Sequence, residues 1–374
     1  MVCGAKRFGS IRKPLMEKNM TTPETYQGST GSMGFMYRSD RRAYLNQPGI
    51  MHDASYVLRL GRVGREIVHR ERNRITRCVL RGMVPGTVLS DILSHADEPL
   101  VEAAVPTGFM TTNNGRASEP IWMMLAAVNH PTRRPLFPVT EMIHDVDQSG
   151  SAHAKTPVGR ISELRREGYT FLRQIPARFI RDVLHLWGDS FHWDGEAIEN
   201  LRRTIAQGSA IKPNDRHVWF TGILSPQRHL VALATAERLD VPLEEGKSIS
   251  VVESTEWRRS PDAQRSGLAA AAVSHLTAQV LADIGDRNPL VIAETNYRSG
   301  AHHVGFAAGM EVPSRSHEGR SIPQMLIQNV GVGDGLLPKG PESKRDFTMM
   351  YLPYASIQTL YTSASRESML KGGV

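Results

Sequence analysis

The chain has 374 residues, 40% of them hydrophobic and 22% charged, with two cysteines and a formal net charge of +7. Cys3 and Cys78 cannot build a disulfide framework or a thiolate zinc site, so no metal is expected and a reducing compartment, the cytoplasm, is. No run of about 18 apolar residues occurs, and no apolar stretch of signal-peptide length follows the basic start MVCGAKRFGSIRKPLMEK.

Residues 1–50, rich in Gly, Ser, Thr and Met without a sustained period, read as an arm lacking regular structure. Residues 51–145 form a basic region of unassigned fold that includes the apolar run IWMMLAAV at 121–128. Residues 1–165 hold 22 Lys and Arg against 15 Asp and Glu, whereas the remainder is balanced at 23 of each. Much of the excess is one stretch: Arg59, Arg62, Arg65, Arg70, Arg72, Arg74, Arg77 and Arg81. Such a stripe could bind nucleic acid or another polyanion. The apolar residues Leu60, Val63, Ile67, Ile75 and Val79 between the arginines fit a solvated helix face better, and no stacking aromatics or named reader motif accompany the charge.

The small, polar segment HDVDQSGSAHAKTPVG at 144–159 reads as a linker, placed at 146–165. Beyond it, Phe179, Ile180, Val183, Leu184 and Trp187 have helical spacing. Asp194 looks like the N-cap of a helix over 195–207. Strands are expected at 217–224 and 229–237, joined by the turn SPQR, and again at 248–259. A helix over 267–284, a strand over 290–295, a short helix over 299–308 and a strand over 346–352 complete the order, leaving 356–374 as a tail. This is a mixed α/β layer with a central sheet. A possible internal echo links 121–141 with 218–237 through a Trp, a Pro-x-Arg turn and a closing Glu; a duplicated half and two unrelated hairpins account for it equally well.

The most informative segment follows the strand at 248–259. It runs through SPDAQRSGLA into a helix, so unpaired backbone N–H groups and the helix dipole form an anion site there. Gly267 lets a phosphate approach the backbone closely. Gln264, Arg265, Ser266, Gly267, Leu268 and Ala269 fit the pattern Q/R-x-x-G-x-G/A, and Asn296, Ser299, Ala301 and Gly309 fit a second segment of strand, N-x-x-S and short helix about 30 residues on. Together they resemble the GNAT family of acetyl-CoA-dependent N-acetyltransferases over about 168–355, assigned as a domain at 166–355. QNVGVG at 328–333 matches the first pattern equally well, but it continues into DGLLPKGP, where no helix can begin, and reads as a loop.

The resemblance implies a GNAT-like mixed central sheet flanked by helices, with acetyl-CoA as co-substrate and a primary amine that attacks its thioester directly. It places the pyrophosphate on 264–269, further cofactor contacts at Asn296, Ser299 and His302, and a polarising backbone N–H near Trp257, Arg258 and Arg259. A free alkyl amine is mostly protonated at neutral pH, so a general base is required. Glu253 and Glu256 are the candidates. They are three apart, so an unbroken strand points them to opposite faces, and a bulge is typical of the family at this strand. Glu253 ranks first, since it stands eleven residues before Gln264, where histone-type members carry their base. A surface salt bridge with Arg258 or Arg259 fits Glu256 better. Gly305 stands where many members have a Tyr that protonates the leaving thiolate; His302, His303 and Tyr297 are close in sequence but not at that place. The alternative function is a non-catalytic GNAT-like binding or structural protein whose basic N-terminal region engages a polyanion or partner.

Overall fold

The computed structural model describes residues 24–28, 31–37, 42–70, 77–95, 100–111, 118–129, 133–135, 155–187, 218–243, 247–263, 267–285, 289–296, 300–326, 330–332 and 347–372. A first sheet comprises β1 (Glu24–Gly28), β2 (Gly31–Tyr37), β3 (Arg42–Ile50), β4 (Arg77–Pro85), β5 (Leu100–Met110) and β6 (Pro120–Asn129), in the order β1-β2-β3-β4-β6-β5. Helix α1 (Ala54–Arg70) crosses over between the parallel strands β3 and β4, and α2 (Gly86–Ser94) follows β4. The described residues within 24–50, expected as an arm, are therefore three strands, joined to β4 in series: β3 pairs with β4, β2 with β3 and β1 with β2. On α1, Val57, Leu60, Val63, Ile67 and Val68 are buried at helical spacing. Gly64 allows its close approach, since a Cβ there would lie 3.3 Å from Cys78 Sγ.

A short ribbon pairs β7 (Arg133–Pro135) with a later strand. The linker expected over 146–165 ends in helix α3 (Pro157–Arg166), because Thr156 and Pro157 are a helix start. The Thr156 hydroxyl accepts from Gly159 N at 3.2 Å, and Pro157 occupies the first turn. Ile161 and Leu164 of α3 are fully buried. Next come β8 (Thr170–Leu172), a 3-10 turn at 177–179 and helix α4 (Ile180–Trp187), matching the predicted helix at 177–187. The helix expected after Asp194 lies outside the described residues.

The second sheet contains β8, β9 (Val218–Leu224), β10 (Leu230–Pro242), β11 (Ser248–Arg259) and β12 (Leu290–Asn296). Helix α5 (Leu268–Ile284) crosses from β11 to β12, and α6 (Ala301–Ala307) follows. The hairpin β13 (Ser316–His317) and β14 (Arg320–Ser321) precedes β15 (Met325–Leu326), β16 (Val330–Val332) and β17 (Phe347–Tyr351). The sheet order is β15-β17-β12-β11-β10-β9-β8, with β11 and β12 parallel. The resemblance required this strand–helix–strand unit in one sheet. The segment expected as a tail folds into α7 (Tyr354–Leu360) and α8 (Ser363–Leu370), with Tyr361 and Met369 buried against the core around α5.

The two sheets share one connectivity. Strands β1, β2, β3, β4, β5 and β6 pair with the same neighbours and directions as β9, β10, β11, β12, β15 and β17, and α1 and α2 stand where α5 and α6 do. The echo noted in the sequence has a different register, since β6 corresponds to β17 and not to β9. In each sheet the crossover helices cover one face. The opposite faces pack on each other: Val79, Met83, Val105, Met123 and Leu125 meet Ile249, Val251, Leu290, Ile292 and Met349 in a shared core.

Candidate functional site

Strands β11 and β12 pair only at Val251–Glu253 with Leu290–Ile292. Beyond that point β11 continues six residues to Arg259 and β12 four to Asn296, without pairing to each other, so a cleft opens between them. On its other side β11 stays paired with β10, where Thr255 faces Thr235 and Arg258 faces Leu233, leaving Glu256 and Trp257 opposite one residue. This is the expected bulge. Trp257 lies on the helix-covered side and donates from Nε1 to Ser254 Oγ at 2.9 Å. Arg258 and Arg259 are held in the ladder with β10. The side chain of Glu256 is outside the described residues.

At the head of the cleft, Gly267 is the N-cap residue of α5 with φ +86°, a left-handed conformation that suits glycine. Leu268 is fully buried, Ala269 is half-buried, and Gln264, Arg265 and Ser266 are outside the described residues. Arg160 of α3 lies against this turn. A Cβ at position 267 would stand 3.4 Å from Arg160 Cδ and 3.6 Å from Nε. Arg160 is buried and donates to the carbonyls of Ala307 (2.9 Å) and Lys155 (3.1 Å); burial lowers its pKa. No motif announced Arg160, because it comes from a helix that reads as a linker. The competing match at 328–333 carries no helix start: Gly331 lies in β16, opposite Arg134 of β7. Its described residues, Val330–Val332, are a strand where a loop was expected.

Across the cleft, Asn296 ends β12 opposite Phe347, and Ser299 is outside the described residues. His302 of α6 is buried, its ring 4.3 Å from that of His303 and edge-on to Phe306. Burial, then the neighbouring His303, pushes its pKa down to about 4, so it is neutral at pH 7. At Gly305 a Cβ would meet Met350 Sδ at 2.5 Å and Trp257 Cη2 at 3.5 Å, so any side chain there requires the Met350 thioether to move.

Glu253 alternates with Val251 and so faces the first sheet. There Arg81 of β4 donates from NH1 to Glu253 Oε2 at 3.1 Å and from NH2 to Glu294 Oε1 at 3.4 Å. Glu237 of β10 is the cross-strand partner of Glu253. In the sequence Arg81 belongs to one basic stretch that fits a solvated helix face better than a polyanion site, but the arginines diverge. Arg59, Arg62, Arg65 and Arg70 are exposed on α1, Arg77 is buried with Glu102, and Arg81 reaches the second sheet. Only long-range pairing reveals that contact.

Among the described residues no group of three or more His, Cys, Asp or Glu could hold a metal ion, and no helix is long and apolar enough to cross a membrane. Cys78 is buried, its thiol pushed up to about 12 by desolvation.

No family model matches the chain, and no curated protein is similar to it in sequence. Solved structures similar to part of it include an acetyltransferase from Trypanosoma brucei, 14% identical, spanning 40% of this chain and 94% of its own with a TM-score of 0.28. A glucosamine-6-phosphate N-acetyltransferase from Arabidopsis thaliana is 13% identical over 40% of this chain and 95% of its own, with a TM-score of 0.30. A variant spermidine N-acetyltransferase from Vibrio cholerae is 13% identical over 51% and 97%, with a TM-score of 0.32.

Proposed function

We propose that the chain is an acetyl-CoA-dependent N-acyltransferase that passes an acetyl group to a primary amine by direct attack. The observation that carries this reading is the opening of β11 from β12 with Gly267 at the head of α5. Strand divergence makes room for an extended thiol cofactor, and the first turn of α5 directs unpaired N–H groups and a positive dipole end toward an anion. The left-handed glycine lets the Arg160 side chain lie against the turn, 3.4 Å from where a Cβ would stand, which brings a positive charge to a turn suited to a pyrophosphate. The backbone of Gln264, Arg265, Ser266, Gly267, Leu268 and Ala269 would hold it, with Asn296, Ser299 and His302 along the opposite wall. When bound, acetyl-CoA supplies an acyl group activated as a thioester.

The chain's own residues supply the rest. The bulge frees the backbone of Glu256 and Trp257 from the ladder, so an N–H at Trp257, at the head of the stretch Trp257–Arg259, would face the negative charge that develops on the acyl oxygen. Glu253 accepts a proton from the amine, directly or through a water, and makes it nucleophilic. No side chain need protonate the leaving thiolate, since a thiol near pKa 8.5 leaves without help. Neutral, buried His302 is better suited to hydrogen bonding than to delivering a proton at pH 7.

The test is a thermal-shift titration with acetyl-CoA, where ligand at about 100 times its dissociation constant stabilises by roughly 2.7 kcal/mol. Thiol detection follows, with a polyamine, an amino sugar and a lysine peptide as acceptors. A second reading is favoured by Gly305, which stands at the place of the family tyrosine: a non-catalytic protein of this fold, whose exposed Arg59, Arg62, Arg65 and Arg70 meet a polyanion or partner. It is recognised by acetyl-CoA binding without thiol release. Absence of any stabilisation by acetyl-CoA refutes the enzyme reading.

A further inference from the structure

The N-terminal copy of the shared connectivity lacks what would make it a cofactor site. Strands β3 and β4 stay paired from Arg42–Asn46 with Arg77–Arg81 and again at Ile50 with Met83, so no cleft opens between them. Only Met51, His52 and Asp53 separate β3 from α1, against residues 260–267 in the C-terminal copy. Asp53 already places an anion at the head of α1. Its Oδ1 accepts from Ser55 N at 2.9 Å, and both carboxylate oxygens lie 2.7 Å from Ser55 Oγ. A phosphate would meet a carboxylate there. What this copy retains is its sheet face, which carries Val79, Arg81 and Met83 of β4 toward Ile249, Val251 and Glu253 of β11 and Leu290, Ile292 and Glu294 of β12.

We propose that the N-terminal half is a cofactor-free copy of the catalytic fold, and that Arg81, which it presents, is a positioning residue for the base Glu253. This rests on the reading of Glu253 as base. Arg81 is 12% exposed, Glu253 17% and Glu294 7%, so the three charges share a partly desolvated seam between the sheets. One guanidinium bonded to two carboxylates fixes the rotamer of each, as its planar fork does better than an ammonium. Among the described residues, the charged groups facing Glu253 include Arg81 from β4, Glu294 from β12 and Glu237 from β10. Arg81 is a cation bonded to both Glu253 and Glu294. Removing it takes one positive charge from beside Glu253 while Glu294 and Glu237 stay, which disfavours the charged form of Glu253.

The experiment uses the full chain. Calorimetric titration with acetyl-CoA should give one site per chain, abolished by Gly267→Asp. Two sites, or one that survives that substitution, would overturn the cofactor-free copy. Thiol release from acetyl-CoA is then followed from pH 5.5 to 9, with water alone and with spermidine as the probe amine. Arg81→Gln should lower kcat about tenfold or more, by misplacing the base, and move the acid limb of kcat/KM to higher pH, with acetyl-CoA affinity unchanged. Arg81→Lys keeps the charge without the fork. It should hold the limb in place and lose kcat several-fold, which keeps the test decisive if Arg81→Gln does not fold. Unaltered kcat and pH limb in the folded variants, beside an impaired Glu253→Gln, would refute the positioning role and leave the base standing. Unimpaired Glu253→Gln would remove the base reading and the inference with it, as would the absence of thiol release above the enzyme-free blank.

Discussion

Gly267→Asp tests the cofactor turn most sharply, because its two effects separate. The position has φ +86°, where an ordinary L-residue costs roughly 1–2 kcal/mol. Asp tolerates this region better than most residues and is a good N-cap, so part of that cost is offset. The new Cβ would sit at ordinary contact distance, 3.4 Å from Arg160 Cδ, so nothing must move. The fold should survive with a modest fall in melting temperature. Binding should not. A carboxylate about 4 Å from a phosphate charge, at an effective dielectric constant near 20, opposes it by about 4 kcal/mol. That is about a thousandfold in dissociation constant. Calorimetry with acetyl-CoA measures it, and Gly267→Ala reports the backbone contribution alone. Gly331→Asp, in the competing match on β16, should leave affinity unaltered. If Gly267→Asp binds within threefold of the unchanged chain, or Gly331→Asp loses binding instead, the turn before α5 is not the pyrophosphate site.

Glu253→Gln should lower kcat/KM by roughly 10²–10⁴-fold near neutral pH, with the defect shrinking as pH rises and more amine arrives neutral; Glu256→Gln is the control, and a reversed pattern would transfer the role. His275 on α5 is buried against Thr221, 2.7 Å from its hydroxyl, with its pKa pushed down to about 3, chiefly by burial. Its folded value lies below the unfolded one of about 6.5, so the stability it permits is complete above pH 6.5 and falls as pH drops toward 3; by pH 5 about 2 kcal/mol is lost. Urea unfolding at pH 7 and pH 5 should show His275→Asn losing less than the unchanged chain, and equal losses would refute the argument. Gly305→Tyr should lower melting temperature without raising thiol release, since its Cβ would clash with Met350; a gain in kcat would show that the ring finds the cleft.

The C-terminal half was legible because its signals are local. The periodicity around Leu276 and Val280, the turn at Gly267 and the strand Leu290–Thr295 each arise within a few neighbouring residues, and the structure joins them as one parallel unit. The bulge at Glu256–Trp257 was expected only through the family resemblance, since no residue there marks it. The N-terminal half was not legible. Its strand β1 pairs with β2 and β2 with β3; β1 has no apolar alternation, and the short one in β2, Met33, Phe35 and Tyr37, stands among Gly and Ser that read as irregular chain. Arg81 and Glu253 are 172 positions apart, so nothing local could join them. Thr156–Pro157 was legible and was passed over, because small polar residues before it weighed more than the cap.

The divergence of the two copies follows from where sheet stability resides. In both, alternate residues of the central strands bury against the crossover helix on one side and against the other sheet on the second, so most of the apolar burial is independent of the strand ends. The cofactor turn lies at a strand end. In the N-terminal copy the matching turn is only Met51–Asp53 and the β3–β4 pairing extends to Met83, while the buried faces are the same in kind, so the presence or absence of such a turn costs the fold little. The helix-free face cannot change as freely, because each sheet covers the other. An Arg at position 81 stands there against Glu253 and Glu294 although a buried ion pair adds little net stability compared with apolar packing. A charge at that seam is better explained by what it does to Glu253 than by what it does for the core.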